Sequence, residues 1–274
     1  MNQPLILVTG ATDGIGLETA RELTRRGARV LVHGRDPERL QRAVAGLRAL
    51  GGSPPEPVQA DLSSLAAVRG LAAELAARGH EPAVVIHNAG VFMKRRERSV
   101  DGLEVTLAVN HLAPFLLTHL LLESTPGDHL RRIVVVSSIA HNSGVLDLAD
   151  VQGLARPFDG YDAYAASKLA NVLFTVELAR RLRPRRITVN ALHPGVTSTK
   201  LLTEGFEMQG RDSLAQASAN SVLLALDPAL ADITGAYYVQ GRPAPTHQAA
   251  RDPALCRRFY ELSAELVGVA PLPA

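Results

Sequence analysis

Cysteine is almost missing from this chain. Cys256 stands alone, which excludes an internal disulfide and a cysteine-built zinc site and fits a reducing compartment. None of the nine histidines falls in a His-Glu-x-x-His arrangement, and no metal is expected. An excess of one charge is missing too: 29 Lys+Arg oppose 27 Asp+Glu, for a net charge of +2. The densest basic runs, 94–98 and 180–186, are short and lack interleaved aromatics. They read as solvated helix ends and loops, and no nucleic-acid partner is expected. No apolar run approaches the roughly 18–20 residues that span a bilayer. Strand-like sequence begins at residue 4, leaving no room for a signal peptide, so the chain reads as cytoplasmic with no membrane span. There is no internal repeat and no low-complexity tail.

What is present is ordinary globular material: 274 residues, 46% hydrophobic and 20% charged, enough for a full core. Short apolar strands are predicted at 5–8, 29–32, 58–60, 83–87, 133–137, 188–192 and 237–239. Helices are predicted between and after them at 15–26, 37–50, 65–78, 102–123, 161–183, 213–226 and 253–267. Strands apolar on both faces, alternating with helices, imply one doubly wound α/β fold. It would be a parallel seven-stranded sheet with helices on both faces, in a single domain over 1–274.

The turn after the first strand reads Thr-Gly-Ala-Thr-Asp-Gly-Ile-Gly over 9–16. Gly10 permits the tight turn, Gly14 a close backbone approach to a pyrophosphate, and Gly16 close helix–strand packing. With Thr12, Asp13 and Ile15 they open a helix whose N-terminus offers free N–H groups to phosphates. The spacing is Gly-x-x-x-Gly-x-Gly, not the usual dinucleotide fingerprint, and an ordinary βα turn is the plain alternative. At the end of the second strand, where an acidic residue would bind the ribose of NAD, stand Gly34 and Arg35. This predicts NADP(H), with Arg35 meeting the 2′-phosphate. Asp36 before Pro37 reads as a helix cap. Asp13 counts against NADP(H), because it puts a negative charge where a second basic residue would help. Asp61 and Leu62 end the third strand; Asp61 suits either the adenine amino group or a cap before Ser63, and Leu62 would cover the ring.

Tyr164 and Lys168 share a helix face one turn apart. They could be a packed phenol and a solvated charge. They could also be a proton donor with a nearby cation that lowers its pKa. A Ser137–Ser138 pair at a strand end precedes them, and strand alternation sends its two side chains to opposite faces.

Thr9-Gly-x-x-x-Gly-x-Gly16, Asn88-Ala-Gly90, Asn110, Ser138, Tyr164-x-x-x-Lys168 and Pro194-Gly195, in this order, resemble the short-chain dehydrogenase/reductase family over nearly the whole chain. Finer stretches at 101–115, 167–174, 191–196 and 260–267 resemble its retinol-dehydrogenase-like branch. The resemblance implies a Rossmann-type domain in which hydride passes between nicotinamide and a carbonyl carbon. Tyr164 would supply the proton, and Lys168 would assist it and hold the ribose. Ser138, favoured over Ser137, would bond the substrate oxygen, and Asn110 would help hold a relay water. Asn88, Ala89 and Gly90 would line the cofactor floor, with a structural turn as the alternative. Pro194, Gly195, Val196 and Thr197 would meet the nicotinamide amide; His193 reads as part of that turn. His87 stands where the family usually has a second Asn.

Ser138 lies 26 residues before Tyr164, a longer gap than usual, so 141–161 is expected to form part of the substrate site. The loop 196–212 would be the other part. Its Leu201, Leu202, Phe206 and Met208 suit either a lid over an apolar small molecule or simple packing. The helices over 102–123 and 161–183 form the dimer interface in many family members. The run 116–122 is apolar enough to serve, or to be core, and a homodimer or homotetramer is expected. Outside enzymes, the same motifs would suit a catalytically silent NADP(H)-binding regulator or an interaction protein.

Overall fold

The computed structural model describes residues 3–125 and 129–273. The strands are β1 (Leu5–Val8), β2 (Arg29–Gly34), β3 (Glu56–Gln59), β4 (Val84–His87), β5 (Arg132–Val136), β6 (Thr188–His193), β7 (Tyr237–Val239) and β8 (Arg242–Pro243). They form one sheet in the order β3-β2-β1-β4-β5-β6-β7-β8. All pairs are parallel except β7 with β8. The eighth strand adds to the seven expected; it is a two-residue antiparallel edge, too short for any periodicity to announce.

The helices are α1 (Gly14–Arg25), α2 (Pro37–Arg48), α3 (Leu65–Ala77), α4 (Val105–Ser124), α5 (Gly160–Leu182), α6 (Leu214–Leu226) and α7 (Pro253–Val267). Alternation along the strands builds two cores. In β1, Leu5 and Leu7 join one cluster with side chains of α3, α4, α5 and α7. Ile6 and Val8 join the other, with side chains of α1, α2 and α6. Sequence order reverses between β1 and β4, which opens a crevice at the carboxyl ends of the central strands.

One expectation needs correcting. By length and composition α4 could cross a membrane after all, but 89% of its apolar window is buried inside the protein. Few of its residues are charged because it is a core helix. Of the two readings of the run 116–122, interface or core, its burial matches core, with Leu120 partly buried. Phe259 and Tyr260 of α7 pack with Phe115, Leu116, Leu121 and Phe174. The seam also carries hydrogen bonds from His111 to Ser263 (2.9 Å) and from Tyr260 to His119 (2.9 Å). The basic runs are engaged within the chain: Arg96 donates to the carbonyls of Gly153 and Arg156, and Arg181 meets Glu177 at 2.7 Å.

Candidate active site

The first strand delivers its turn to the crevice floor. Gly10 and Gly14 take positive φ, 64° and 53°, a conformation that glycine alone adopts without strain. A Cβ on Gly10 would stand 2.8 Å from Ala89 Cα, and one on Gly16 would collide with the Gly10 carbonyl and the Asn88 amide. The helix therefore starts against β1 and β4, with its first-turn N–H groups at the cleft. Asn88 holds this packing, donating to the carbonyls of Thr9 and Gly10 at 2.9 and 3.2 Å. Its side chain thus serves the turn, while Asn88, Ala89 and Gly90 all line the cleft.

Sequence reasoning missed His33 beneath the same turn. Gly10 N–H donates to its Nδ1 at 3.1 Å, and its Nε2 meets the Ala60 carbonyl at 3.2 Å. Burial pushes its pKa down to about 4, so the ring is neutral and ties β1, β2 and β3 together. Burial likewise lowers His87 to about 3; its Nε2 meets Thr118, and the ring belongs to the core.

Where β2 and β3 end, the cleft is rimmed by exposed charges. Asp13 caps α1 through Gly14 N–H at 2.8 Å and pairs with Arg39 at 2.7 Å and Lys200 at 3.8 Å. Arg39 thus brings a basic side chain to the glycine turn, supplied from the first turn of α2 rather than from the turn itself. Asp36 caps α2 as expected. Asp61 Oδ1 caps Ser63, accepting from both its N–H and hydroxyl, while Oδ2 lies 4.0 Å from Arg35. Leu62 lines the cleft beside it.

The catalytic candidates lie at the opposite end of one continuous cleft of about 820 Å³. Lys168 Nζ donates to the Val136 carbonyl at 3.0 Å, and Ser137 Oγ to the Lys168 carbonyl at 2.8 Å. Both serines line the cleft, but the Ser137 hydroxyl is spent stitching β5 to α5, whereas the Ser138 side chain contacts Tyr164. Lys168 Nζ lies 5.4 Å from the Tyr164 ring centre. Burial nevertheless pushes the Tyr164 pKa up to about 12, with a contact from Ser138 opposing it. Burial also lowers Lys168 to about 8. The expected lowering of the phenol by the lysine is thus not what the structure gives: desolvation dominates, Tyr161 adds to it, and only Ser138 opposes it.

Asn110 sits in a π turn, Ala108–Leu112, inside α4. The residue four further on is Pro114, which has no N–H for the Asn110 carbonyl. Each polar atom of the side chain has a partner: Oδ1 accepts from Val91 N–H at 2.7 Å, and Nδ2 donates to the Val91 carbonyl and Ser167. Both Nδ2 hydrogens are spent, so a water could meet this side chain only as a donor to Oδ1.

After β6, Gly195 has φ of 112°. Val196 N–H donates to Asp212 Oδ2 at 2.6 Å, so that donor already has a protein acceptor. Thr197 Oγ1 is buried and without a partner, beside Pro194, Gly195 and Val196 in the cleft wall. Between 196 and 212, Leu201, Leu202, Phe206 and Met208 line the cleft, and the Phe206 ring stands 5.1 Å from that of Tyr164. Of the segment 141–161, Asn142, Ser143 and Tyr161 line it. The middle turns away: Leu146, Leu148 and Val151 pack on the core, and Arg96 pins Gly153 and Arg156.

These residues fit a nicotinamide dinucleotide. The glycine turn leaves a Cβ-free cradle at a helix N-terminus, and Thr197 offers an unpaired buried hydroxyl at the far end. Among the described residues no cluster of His, Cys, Asp or Glu could hold a metal.

Comparison with known proteins bears on the family and the fold. The family model described as short chain dehydrogenase matches residues 4–210. Human retinol dehydrogenase 13 is 38% identical, over 96% of this chain and 84% of its own length. The crystal structure of an uncharacterized Mycobacterium paratuberculosis protein superposes with a TM-score of 0.82 at 31% identity, covering 99% of this chain and 96% of that one. A short chain dehydrogenase from Escherichia coli CFT073, solved complexed with NADPH, gives a TM-score of 0.71 at 27% identity, covering 88% and 97%.

Proposed function

The chain belongs to the short chain dehydrogenase family, in its retinol-dehydrogenase-like branch, and is a carbonyl/alcohol oxidoreductase; on that premise we propose that it uses NADP(H) to reduce a lipophilic aldehyde or ketone, with Tyr164 as proton donor. The observation that carries this reading is the cleft itself. Two arginines stand at one end, Ser138, Tyr164 and Lys168 at the other, and apolar side chains wall the space beside Tyr164.

A Cβ on Gly34 would collide with Thr12 Cγ2, so packing keeps an acidic side chain from the end of β2. Arg35 and Arg39 make only exposed ion pairs there. Such pairs contribute about 0–1 kcal/mol, and a 2′-phosphate can replace their carboxylate partners.

A bound nicotinamide supplies the hydride donor or acceptor. The remaining work falls to this chain. A phenol held near pKa 12 keeps its proton at neutral pH and can give it to a developing alkoxide. Lys168, fixed by the Val136 carbonyl, stays mostly cationic below its pKa of about 8 and stabilises the phenolate left behind. Ser138 bonds the substrate oxygen as charge builds there. Asn110 fixes the Gly90–Val91 floor beneath the site. Leu201, Leu202, Phe206, Met208, Ile139 and Tyr161 exclude water and select an apolar substrate. The loop 196–212, with the two ends of 141–161, forms the substrate site.

Titration of the pure protein with NADPH and NADH, followed by turnover on a panel of apolar and charged aldehydes and ketones, tests this. NADPH is expected to bind at least tenfold more tightly, a gap of about 1.4 kcal/mol, and apolar carbonyls to turn over fastest. Tighter NADH binding would remove Arg35 and Arg39 from the cofactor assignment.

A further inference from the structure

We infer that His141 and His193 are positioning residues that clamp the Ser138–Ile139 peptide between two imidazoles and so aim the Ser138 hydroxyl at the substrate oxygen. The clamp rests on the reading of Ser138 given above. Parallel register sets it up: β5 pairs with β6 through Val136 and Leu192, and Ser137 N–H donates to the Leu192 carbonyl at 2.8 Å. His193, the next residue, therefore lies beside the peptide that follows Ser138. Ile139 N–H donates to His193 Nδ1 at 3.3 Å. From the other side, His141 Nδ1 meets the Ser138 carbonyl at 2.7 Å. Both halves of a single peptide unit are thus held by rings, at the start of the short turn that Ser138 caps.

The partners dictate both tautomers. A backbone N–H can only donate, so His193 Nδ1 is bare; a carbonyl can only accept, so His141 Nδ1 carries the proton. His141 Nε2 is then bare, and it accepts from His247 N–H at 3.3 Å. The Tyr237 ring packs on His141 at 4.6 Å. The His193 contact is made only by a neutral ring, whereas at His141 protonation would keep the Ser138 contact and break only the one from His247 N–H. Burial lowers both pKa values: the Ser138 carbonyl opposes this at His141 and Asp212 opposes it at His193, while His247 adds to it at His141 and His141 adds to it at His193. His141 is fully buried. His193 lines the cleft wall and is held from behind, its carbonyl accepting from Asn220. Neither ring lies in the phosphate turn or on the catalytic helix, so the clamp acts through Ser138.

Four variants read the clamp: His141→Leu and His193→Leu remove the ring nitrogens, while His141→Asn keeps a donor and His193→Asn keeps an acceptor near the Nδ1 position. In steady-state carbonyl reduction, each Leu variant is expected to lose roughly tenfold to a hundredfold in kcat, the scale of a small misplacement. NADPH affinity should stay unchanged. Each Asn variant should recover most of the loss, and the double Leu variant should fall short of the product of the singles, because both rings hold one peptide. Wild-type kcat in the Leu variants, Asn variants as slow as Leu, or a parallel loss of NADPH binding would each overturn the clamp. Ser138→Ala is run alongside. If it is slow while the histidine variants are normal, the clamp alone fails; if it turns over at full rate, the reading of Ser138 fails and the clamp with it.

Discussion

The two ends of the cleft handle polarity in opposite ways. At the end proposed for adenosine the charges are exposed and interchangeable: the Arg35 side chain is 74% exposed and the Asp13 side chain 52%. At the catalytic end Lys168, Asn110, His141 and Tyr164 are buried, and each is fixed by burial or by named partners. Exposed pairs are screened and can swap partners on binding. Buried groups pay their desolvation in folding and stand ready in one arrangement. Affinity and cofactor choice are therefore adjustable here in a way that the chemistry is not.

Tyr164→Phe should break the comparison most sharply. Turnover is expected to fall by roughly 10²–10⁴-fold, the usual worth of general acid catalysis, while NADPH titration stays as in the parent; equal losses in both would merge the two ends. Acid comes next, because even the exposed end rests on a buried neutral ring. Between the ordinary pKa of 6.5 and the folded value of about 4, the unfolded chain holds a proton on His33 that the folded one lacks. Stability should fall as pH drops through that window. A denaturant midpoint measured from neutral to pH 4 reads this, and His33→Asn should flatten part of the slope. A slope unchanged in that variant would clear His33. Gly16→Ala forces a Cβ against the Gly10 carbonyl and should cost about 1–3 kcal/mol, typical of overpacking, with weakened NADPH binding; a parent-like melting curve would show that the turn can give way. The smallest change is expected from Arg39→Ala. NADPH should weaken by about tenfold, or 1.4 kcal/mol, with NADH unaffected and the difference shrinking in salt. A loss that is equal for both cofactors would make Arg39 structural.

Much of this was legible because the signals are local. The glycines at 10, 14 and 16, the cap at Asp36, the apolar strands and the pair Tyr164/Lys168 each depend on neighbours within a turn or two. The remainder depends on meetings across the sheet. Nothing near His33 in sequence tells of Ala60, and nothing near His193 tells of Ile139; only strand register joins them. Arg39 reads as helix surface until Asp13 is found opposite it. The π turn could have been suspected from Pro114 four residues after Asn110, but the use of every side-chain atom of Asn110 could not. Likewise the middle of 141–161 leaves the cleft because Arg96, remote in sequence, holds it. The phenol's high pKa escaped for a different reason: position tells which charge is near, whereas burial, the larger influence here, belongs to the finished fold.

The seam between α7 and the helices α4 and α5 sets an order of events during synthesis. Phe115 and Phe174 leave the ribosome well before Phe259 and Tyr260, the residues that finally cover them. Until then a growing chain carries the glycine turn and every catalytic side chain beside an open apolar groove. Covering of that groove therefore waits for α7. Chaperone demand should concentrate in that interval.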